Sequence, residues 1–267
     1  MTKSVHFIGG GQMAEAIIRA IVNNHVYPPG SITVADINEK RVAYLQEKYR
    51  IESGQEQEKA ISSAKLIVIA VRPQDDLYSV SKLIKEHAHQ NATIISIVAG
   101  VTINRLTQLV GGNRPIVRII PNTLTDTGYG YSGVALNELA KKEDIEDFLN
   151  GFGKVKYIDE SLIDLFTGFG VCGPNYIYYF IESFVDGGVL AGLPRDLAWD
   201  VALENMIGSV EMLKKSGLHP RQLLDINNSP GGVGMNALFE LNNSDFAAGL
   251  QRSIKRACER TTELGGE

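Results

Sequence analysis

The 267-residue chain is 44% hydrophobic and 21% charged, with a formal net charge of -5. That suits a globular protein with one large or two modest cores. It argues against nucleic-acid or anionic-membrane binding, which call for a basic patch. No apolar run is long enough to span a bilayer. The opening Met1–Val5 runs straight into a strand without a charged and apolar leader, so no secretory signal is expected. Cys172 and Cys258 are far apart and in no metal-like spacing, so a reducing, cytoplasmic setting is expected. The five histidines form no metal pattern, His87 and His89 being two apart and facing apart on a helix. No metal is expected.

Val5–Ile8 is a short, mostly apolar run ended by three glycines, and reads as a buried parallel strand. From Gln12 to Val22 the apolar residues Met13, Ala16, Ile17, Ala20 and Ile21 fall at helical spacing, until Pro28-Pro29-Gly30 breaks the pattern. Ser31–Ala35 is a second strand with Asp36 at its end, and Asn38–Tyr49 a charged helix. Leu66–Val71 is a third strand, Leu77–Glu86 a helix and Thr93–Val98 a fourth strand closed by Ala99-Gly100. Ile103–Val110 is a helix, and Ile116–Ile120 a fifth strand stopped by Pro121. Short strands alternating with helices imply an α/β, doubly wound parallel sheet.

The texture changes near residue 160, where the β-type runs end. Tyr176–Leu190, Pro194–Ser216 and Asp245–Leu264 read as helices, with a short one from His219-Pro220 to about Asp225. The expected division is residues 1–159, an α/β domain, and 160–267, an all-helical domain.

Gly9-Gly10-Gly11-Gln12-Met13-Ala14 matches the G-x-G-x-x-G/A pattern between a strand and a helix. Gly9 permits the tight turn, Gly11 lets a pyrophosphate approach the backbone, and Ala14 keeps helix and strand close. The phosphates then meet free N–H groups at a helix N-terminus. Asp36 stands where the fingerprint wants a carboxylate for the adenosine ribose hydroxyls, and a carboxylate there repels a 2′-phosphate. NADH is therefore favoured over NADPH, although Lys40 and Arg41 follow closely. The plainer readings are a glycine-rich turn, and Asp36 as a strand-end or helix-capping residue.

Seven segments in order over nearly the whole chain resemble the pyrroline-5-carboxylate reductase family. They are Gly9–Ala16, Ala70-Val71-Arg72-Pro73-Gln74, Ser96-Ile97-Val98-Ala99-Gly100-Val101, Val117–Thr123, Gly173-Pro174, Ala191–Arg195 and Ser229-Pro230-Gly231-Gly232. The resemblance implies an N-terminal Rossmann domain and a helical dimerisation domain. It implies hydride transfer from NADH or NADPH to the C=N of a small cyclic imine carboxylate, giving L-proline. The protein would be a homodimer or a multimer of dimers.

The cofactor is expected at Gly9, Gly11, Gln12, Met13, Ala14, Asp36, Ala70, Val71, Arg72, Pro73, Ala99 and Asn122. The substrate is expected at Cys172 and at the glycine-rich turn Gly231, Gly232, Val233 and Gly234, whose backbone N–H groups suit a carboxylate. No catalytic side chain is assigned, because a protonated imine is already an electrophile and the site has mainly to hold the reactants and exclude water. Cys172 has no histidine paired with it in sequence and reads as a small buried residue standing for serine. Tyr176, Tyr178 and Tyr179 read as core and interface.

Two substrate-side motifs depart from the family. Gly170-Val171-Cys172-Gly173-Pro174-Asn175 stands for Ser-Gly-Ser-Gly-Pro-Ala, and Asn228-Ser229-Pro230-Gly231-Gly232-Val233-Gly234 for Thr-Ser-Pro-Gly-Gly-Thr-Thr. Each lost hydrogen bond to a charged group costs about tenfold to a hundredfold in binding. The alternatives are a reductase of another cyclic imine acid, or a non-catalytic dinucleotide-binding relative. A β-hydroxyacid dehydrogenase of related architecture would need a lysine on the first long helix, and none lies between Cys172 and Leu213.

Overall fold

The structure is a computed structural model and describes residues 4–265. The chain divides into two compact units. The first runs to Cys172 and takes in the stretch from Arg256 onward, and the second is Gly173–Lys255.

The first unit is built on β1 (Val5–Ile8), α1 (Gln12–Asn23), β2 (Ile32–Ala35), α2 (Glu39–Tyr49), β3 (Glu52–Ser53), α3 (Gln57–Ser63) and β4 (Leu66–Ile69). These are followed by α4 (Leu77–His87), β5 (Thr93–Ser96), α5 (Ile103–Val110), β6 (Ile116–Pro121), β7 (Tyr131–Leu136), α6 (Lys142–Asn150) and β8 (Lys154–Tyr157). The strands form one sheet in the order β3-β2-β1-β4-β5-β6-β7-β8. β1 and β4 are buried along their whole length, which is why they read as unbroken apolar runs rather than alternating ones. One face packs Ile17, Ile18 and Ile21 of α1 and Phe148 of α6 against Phe7 and Val34. The other packs Ile84 of α4 and Leu106 of α5 against Ile67 and Ile94. Phe148 is central to the first core, its ring 5.3 Å from Phe152, 6.0 Å from Tyr27 and 6.4 Å from Phe7.

The sheet is dominated by parallel pairs, as the sequence predicts, with one exception. β6 and β7 pair antiparallel, Ile119 opposite Val134. The link 122–130 between them holds only a 3-10 turn over Leu124–Thr127, too short for a crossover, so the chain returns directly. β7 and β8 are again parallel, joined through α6. Pro121 is the last residue of β6, paired with Ser132, so the strand ends on the proline rather than just before it.

The first compact unit also continues past the change of texture at 159. A short helix, α7 (Ile163–Phe166), and a π-turn over Thr167–Val171 fold back on the sheet. Ile163 is fully buried among Ile120 and Ala135. The Phe166 ring lies where a Cβ on Gly133 would fall, 2.7 Å away, so β7 needs glycine there. Arg118, in the middle of β6 and 1% exposed, pairs with Asp164 at 2.6 Å and Glu160 at 3.3 Å.

The second unit contains α8 (Gly173–Leu190), α9 (Arg195–Ser216), α10 (Pro220–Asn227), α11 (Val233–Asn243) and the start of α12 (Phe246–Leu264). Its buried cluster is small, formed by Val185, Ala198 and Ala202 between α8 and α9. Trp199, Ile207 and Phe239 are 49%, 61% and 63% exposed in the single chain. Tyr178 and Tyr179, expected in the core or at an interface, are exposed in the single chain as well. The rest of α12 belongs to the first unit, where Gly168 leaves room for Cys258, to whose backbone nitrogen an added Cβ would come within 2.5 Å.

His6 in β1 is fully buried and hydrogen-bonded through Nδ1 to Thr33 Oγ1 at 2.9 Å. Burial pushes its pKa down from 6.5 to about 4. The unfolded chain therefore takes up a proton below pH 6.5 that the native state refuses. Stability is expected to fall as the pH drops from about 6.5 to about 4. Denaturation midpoints across this window should show a shallower slope in His6→Asn; an unchanged slope would discount the residue.

Candidate dinucleotide site and substrate-side turn

β1, β2, β4, β5 and β6 all run in one direction, so their carboxyl ends share one edge of the sheet. The strand order reverses beside β1, and ligands in such sheets bind in the crevice at that point. This edge brings together Gly9–Ala14 after β1, Asp36 after β2, Ala70–Pro73 after β4, Ala99 after β5 and Asn122 after β6. The loop is anchored to both neighbours, Gly9 N donating to Ala35 O at 2.8 Å and Ala70 N to Ile8 O at 2.8 Å.

The glycines differ in what they do. Gly9 has φ +102°, and a Cβ on it would meet Ala70 O at 2.5 Å, so it is required by the fold itself. A Cβ on Gly11 would meet nothing within 4 Å. Gly11 is the N-cap of α1 and offers no side chain to the first-turn amides. An open cradle in front of uncapped N–H groups fits a pyrophosphate. Gln12 is exposed beside it, Met13 half-buried, and Ala14 buried against the sheet.

Asp36 is a strand-end residue whose carboxylate faces the glycine loop. Its Oδ2 accepts from Gly10 N at 2.7 Å and its Oδ1 from Asn38 N at 2.9 Å. It therefore ties the loop to the end of β2, while Asn38, not Asp36, caps α2. Ile37, next to it, is 98% exposed, an apolar side chain left open at the lip of the crevice. Its isolation in a polar stretch was the only sign of it in the sequence.

Arg41, which the sequence left as a competitor of Asp36, turns inward. Its Nε donates to Gly10 O at 2.6 Å and its Nη2 pairs with Glu15 at 2.5 Å. Glu15 also accepts from Tyr49 at 2.7 Å and Lys48 at 3.1 Å. Burial pushes its carboxyl up, but the hydrogen bonds from Tyr49, Arg41 and Lys48 outweigh burial and hold the pKa at about 2. Sequence reading missed this cluster, although Arg41, Tyr44, Lys48 and Tyr49 stand at helical spacing on α2.

Arg72 is exposed and forked onto Asp75, with Nη2 3.0 Å from Oδ1. Ala70, Val71, Pro73 and Ala99 are half-buried along the edge. Asn122 is fully buried, its Oδ1 accepting from Leu124 N and Tyr131 N at 3.2 Å each. Its Nδ2 has no partner, a buried donor at the carboxyl end of β6.

On the substrate side, Cys172 is half-buried at the end of the π-turn. Burial pushes its thiol pKa up, with a smaller push from Cys258, the opposite of what a nucleophile needs. Gly231–Gly234 is not the free-standing turn expected. Gly231 has φ +68°, Gly232 is the N-cap of α11, and Val233 and Gly234 form its first turn. The helix was missed because glycine and asparagine at its start read as turn residues. Val233 is 90% exposed. The two outer departures of this motif fit each other, since a Cβ on Gly234 would overlap the Asn228 amide. His89 lies beyond the C-cap of α4, so the two histidines do not share a helix. Among the described residues no group of three or more His, Cys, Asp or Glu side chains is placed to hold a metal.

Comparison with known proteins gives this edge a family. The chain is 34% identical over 263 residues to pyrroline-5-carboxylate reductase of Arabidopsis thaliana, covering 97% of this chain and 95% of that protein. The chain belongs to the pyrroline-5-carboxylate reductase family. The Escherichia coli reductase is 32% identical, covering 99% of both chains. Residues 160–264 match the family model of pyrroline-5-carboxylate reductase dimerisation, and residues 4–100 that of NADP oxidoreductase, coenzyme F420-dependent. The crystal structure of the Plasmodium falciparum reductase with NADP bound superposes with a TM-score of 0.89 at 31% identity, covering 98% of each chain.

The two loop glycines should separate in experiment. Gly9→Ala is expected to lower the melting temperature strongly, from strain and contact with Ala70. Gly11→Ala should cost stability no more than about 1 kcal/mol, the difference between capping residues, yet weaken dinucleotide binding at least about tenfold. Calorimetric titration and thermal melts of both variants decide the matter. In the other motif, Gly234→Thr forces the Asn228 amide off its bond to Leu224 O at 2.6 Å, a modest loss of stability in thermal melts that Asn228→Thr in the same chain should remove.

Proposed function

We propose that this protein reduces the C=N bond of pyrroline-5-carboxylate with a nicotinamide dinucleotide, forming L-proline, and that it prefers NADH. The near-full-length similarity to reductases of that name supports the substrate. One observation carries the cofactor half: the open Gly11 cradle at an uncapped helix N-terminus, with Asp36 bound to the next amide of the loop.

When bound, the reduced dinucleotide supplies the hydride. The chain's own residues bind and orient. Gly9, Gly11, Gln12, Met13 and Ala14 receive the pyrophosphate, and Asp36 the adenosine ribose. Ala70, Val71, Arg72 and Pro73 line the adenosine and pyrophosphate side. Asn122, with its unpartnered amide, reaches the nicotinamide end, and Ala99 lines the cofactor. Backbone N–H groups of Gly231–Gly234 suit the substrate carboxylate, and Cys172 stands where the family carries a serine. Arg41, drawn into the loop, adds nothing to a 2′-phosphate, which supports the NADH preference.

Functionally we divide the chain at 159/160 into a nucleotide half and a helical dimerisation half. The family-model match beginning at residue 160 supports this division. The apolar faces of the second unit support a homodimer or a multimer of dimers. The low cysteine content supports a cytoplasmic setting. Among the described residues no helix is long and apolar enough to cross a membrane.

The assay is consumption of NADH with pyrroline-5-carboxylate and formation of proline. NADPH is expected to serve at a kcat/KM lower by about tenfold, a difference of roughly 1.4 kcal/mol. Equal or faster turnover with NADPH overturns the preference, and no turnover with either overturns the activity. Val233→Thr should raise kcat/KM for the imine by about tenfold, by returning a hydroxyl to the first turn of α11. A second reading, reduction of another cyclic imine acid, is favoured by the exposed Val233 where the family carries a hydroxyl. Higher kcat/KM on a six-membered homologue would select it.

A further inference from the structure

Glu15, in the first turn of α1, is 6% exposed, and one face of α2 converges on its carboxylate. Arg41 Nη2 lies at 2.5 Å, Tyr49 Oη at 2.7 Å, Lys48 Nζ at 3.1 Å and Tyr44 Oη at 3.2 Å. Packing of α2 on α1 is already served by Tyr49 and Lys48. Arg41 does something more. It bonds Glu15 and Gly10 O together, with a longer contact from Nη2 to Gly11 O at 3.4 Å. The peptide groups of Gly10 are thereby held on both sides, the N–H by Asp36 and the C=O by Arg41. Arg41 thus lies one residue of loop away from the carboxylate that meets the adenosine ribose, but faces into the protein, with its side chain 20% exposed.

An acidic residue in this turn is otherwise unfavourable, because it reduces the positive potential that a helix N-terminus offers to a pyrophosphate. Arg41 and Lys48 neutralise it. The arrangement therefore costs the site nothing in charge, while it removes an arginine from the place where a 2′-phosphate would arrive. Arginine pairs with phosphate by short, charge-assisted bonds, so the position of Arg41 bears directly on discrimination; Arg72, the exposed arginine on the same edge, is already forked onto Asp75.

We propose that Glu15 is a specificity-determining residue for the cofactor: it holds Arg41 inside the glycine loop, away from any ribose 2′-phosphate, and leaves Asp36 as the charge that the ribose meets. This rests on the reading of the loop as the dinucleotide site.

The test is calorimetric titration of the full chain with ADP and with adenosine 2′,5′-bisphosphate. The wild type is expected to bind ADP more tightly. Glu15→Gln keeps the shape but weakens the hold on Arg41, and should shift the affinity ratio toward the bisphosphate by about tenfold. Glu15→Gln with Arg41→Met should lose that gain. Arg41→Met alone should weaken both ligands and leave their ratio within about twofold, since the wild-type arginine contacts neither 2′-group.

An unchanged ratio in Glu15→Gln overturns the proposal, as does a gain that survives loss of Arg41. A selective loss of bisphosphate binding in Arg41→Met overturns it too, and that comparison stands even if Glu15→Gln does not fold. A purely structural Glu15 would lower both affinities together. If the wild type binds neither nucleotide, the reading of the loop falls and this inference with it; turnover of pyrroline-5-carboxylate with an unmoved ratio sinks the inference alone.

Discussion

Arg118 places a guanidinium in the middle of a buried strand, and that is tolerable only because Asp164 and Glu160 reach it from the segment that follows the sheet. An unpaired charge at this depth would cost several kcal/mol. The same carboxylates do further work. Glu160 Oε1 also accepts from Ile103 N at 2.6 Å, which fixes the start of α5 just beyond the loop carrying Ala99. Asp164 Oδ2 receives Thr262 of α12 at 3.4 Å. One buried cation therefore aligns β6, with Asn122 at its end, the loop after β5, the π-turn that ends in Cys172, and the last helix.

The nucleotide edge is organised on the same plan, with a charge inside the backbone rather than on the surface. Asp36 and Arg41 clamp Gly10 from either side, and Glu15 neutralises Arg41 from below the loop. The outer side is left to glycine and uncapped amides. Rigid support on one face and open backbone on the other is the combination that anion binding at a helix N-terminus requires.

The fold was legible wherever burial on both faces made the pattern plain. β1, β4, β5, β6 and α1 lie where apolar runs and helical spacing put them, as do the long helices of the second unit. β7 was hidden by Gly133, which interrupts its apolar run because Phe166 needs the space. β8 was hidden because an edge strand reading Lys-Val-Lys-Tyr carries charges rather than a core face. β3 has two residues, too few for any period. At the candidate site, the spacing of Gly9, Gly11, Ala14 and Asp36 was enough to place them together on one strand-helix turn and the neighbouring strand end, because a glycine loop between β1 and α1 dictates that geometry. Arg41 was ambiguous because direction is not written in spacing: the same residue can face the ribose or the loop. Only its partner Glu15, 26 residues away, settles that.

Gly168 and Gly100 make room for α12, a Cβ on the one colliding with Cys258 and on the other with Gly265 and Thr261. Cys258 reaches back 93 residues to Leu165 O, and Thr262 reaches back 98 residues to Asp164. The helices of the second unit are thus an insertion in the continuity of the first. During synthesis the nucleotide-binding sheet emerges early but must wait, with its π-turn uncovered, until the whole helical insert has left the ribosome. Closure of so long a loop is slow and leaves an exposed seam meanwhile. The nucleotide unit is consequently a poor candidate for expression as a fragment that stops before α12, because the segment covering its π-turn lies beyond the helical insert.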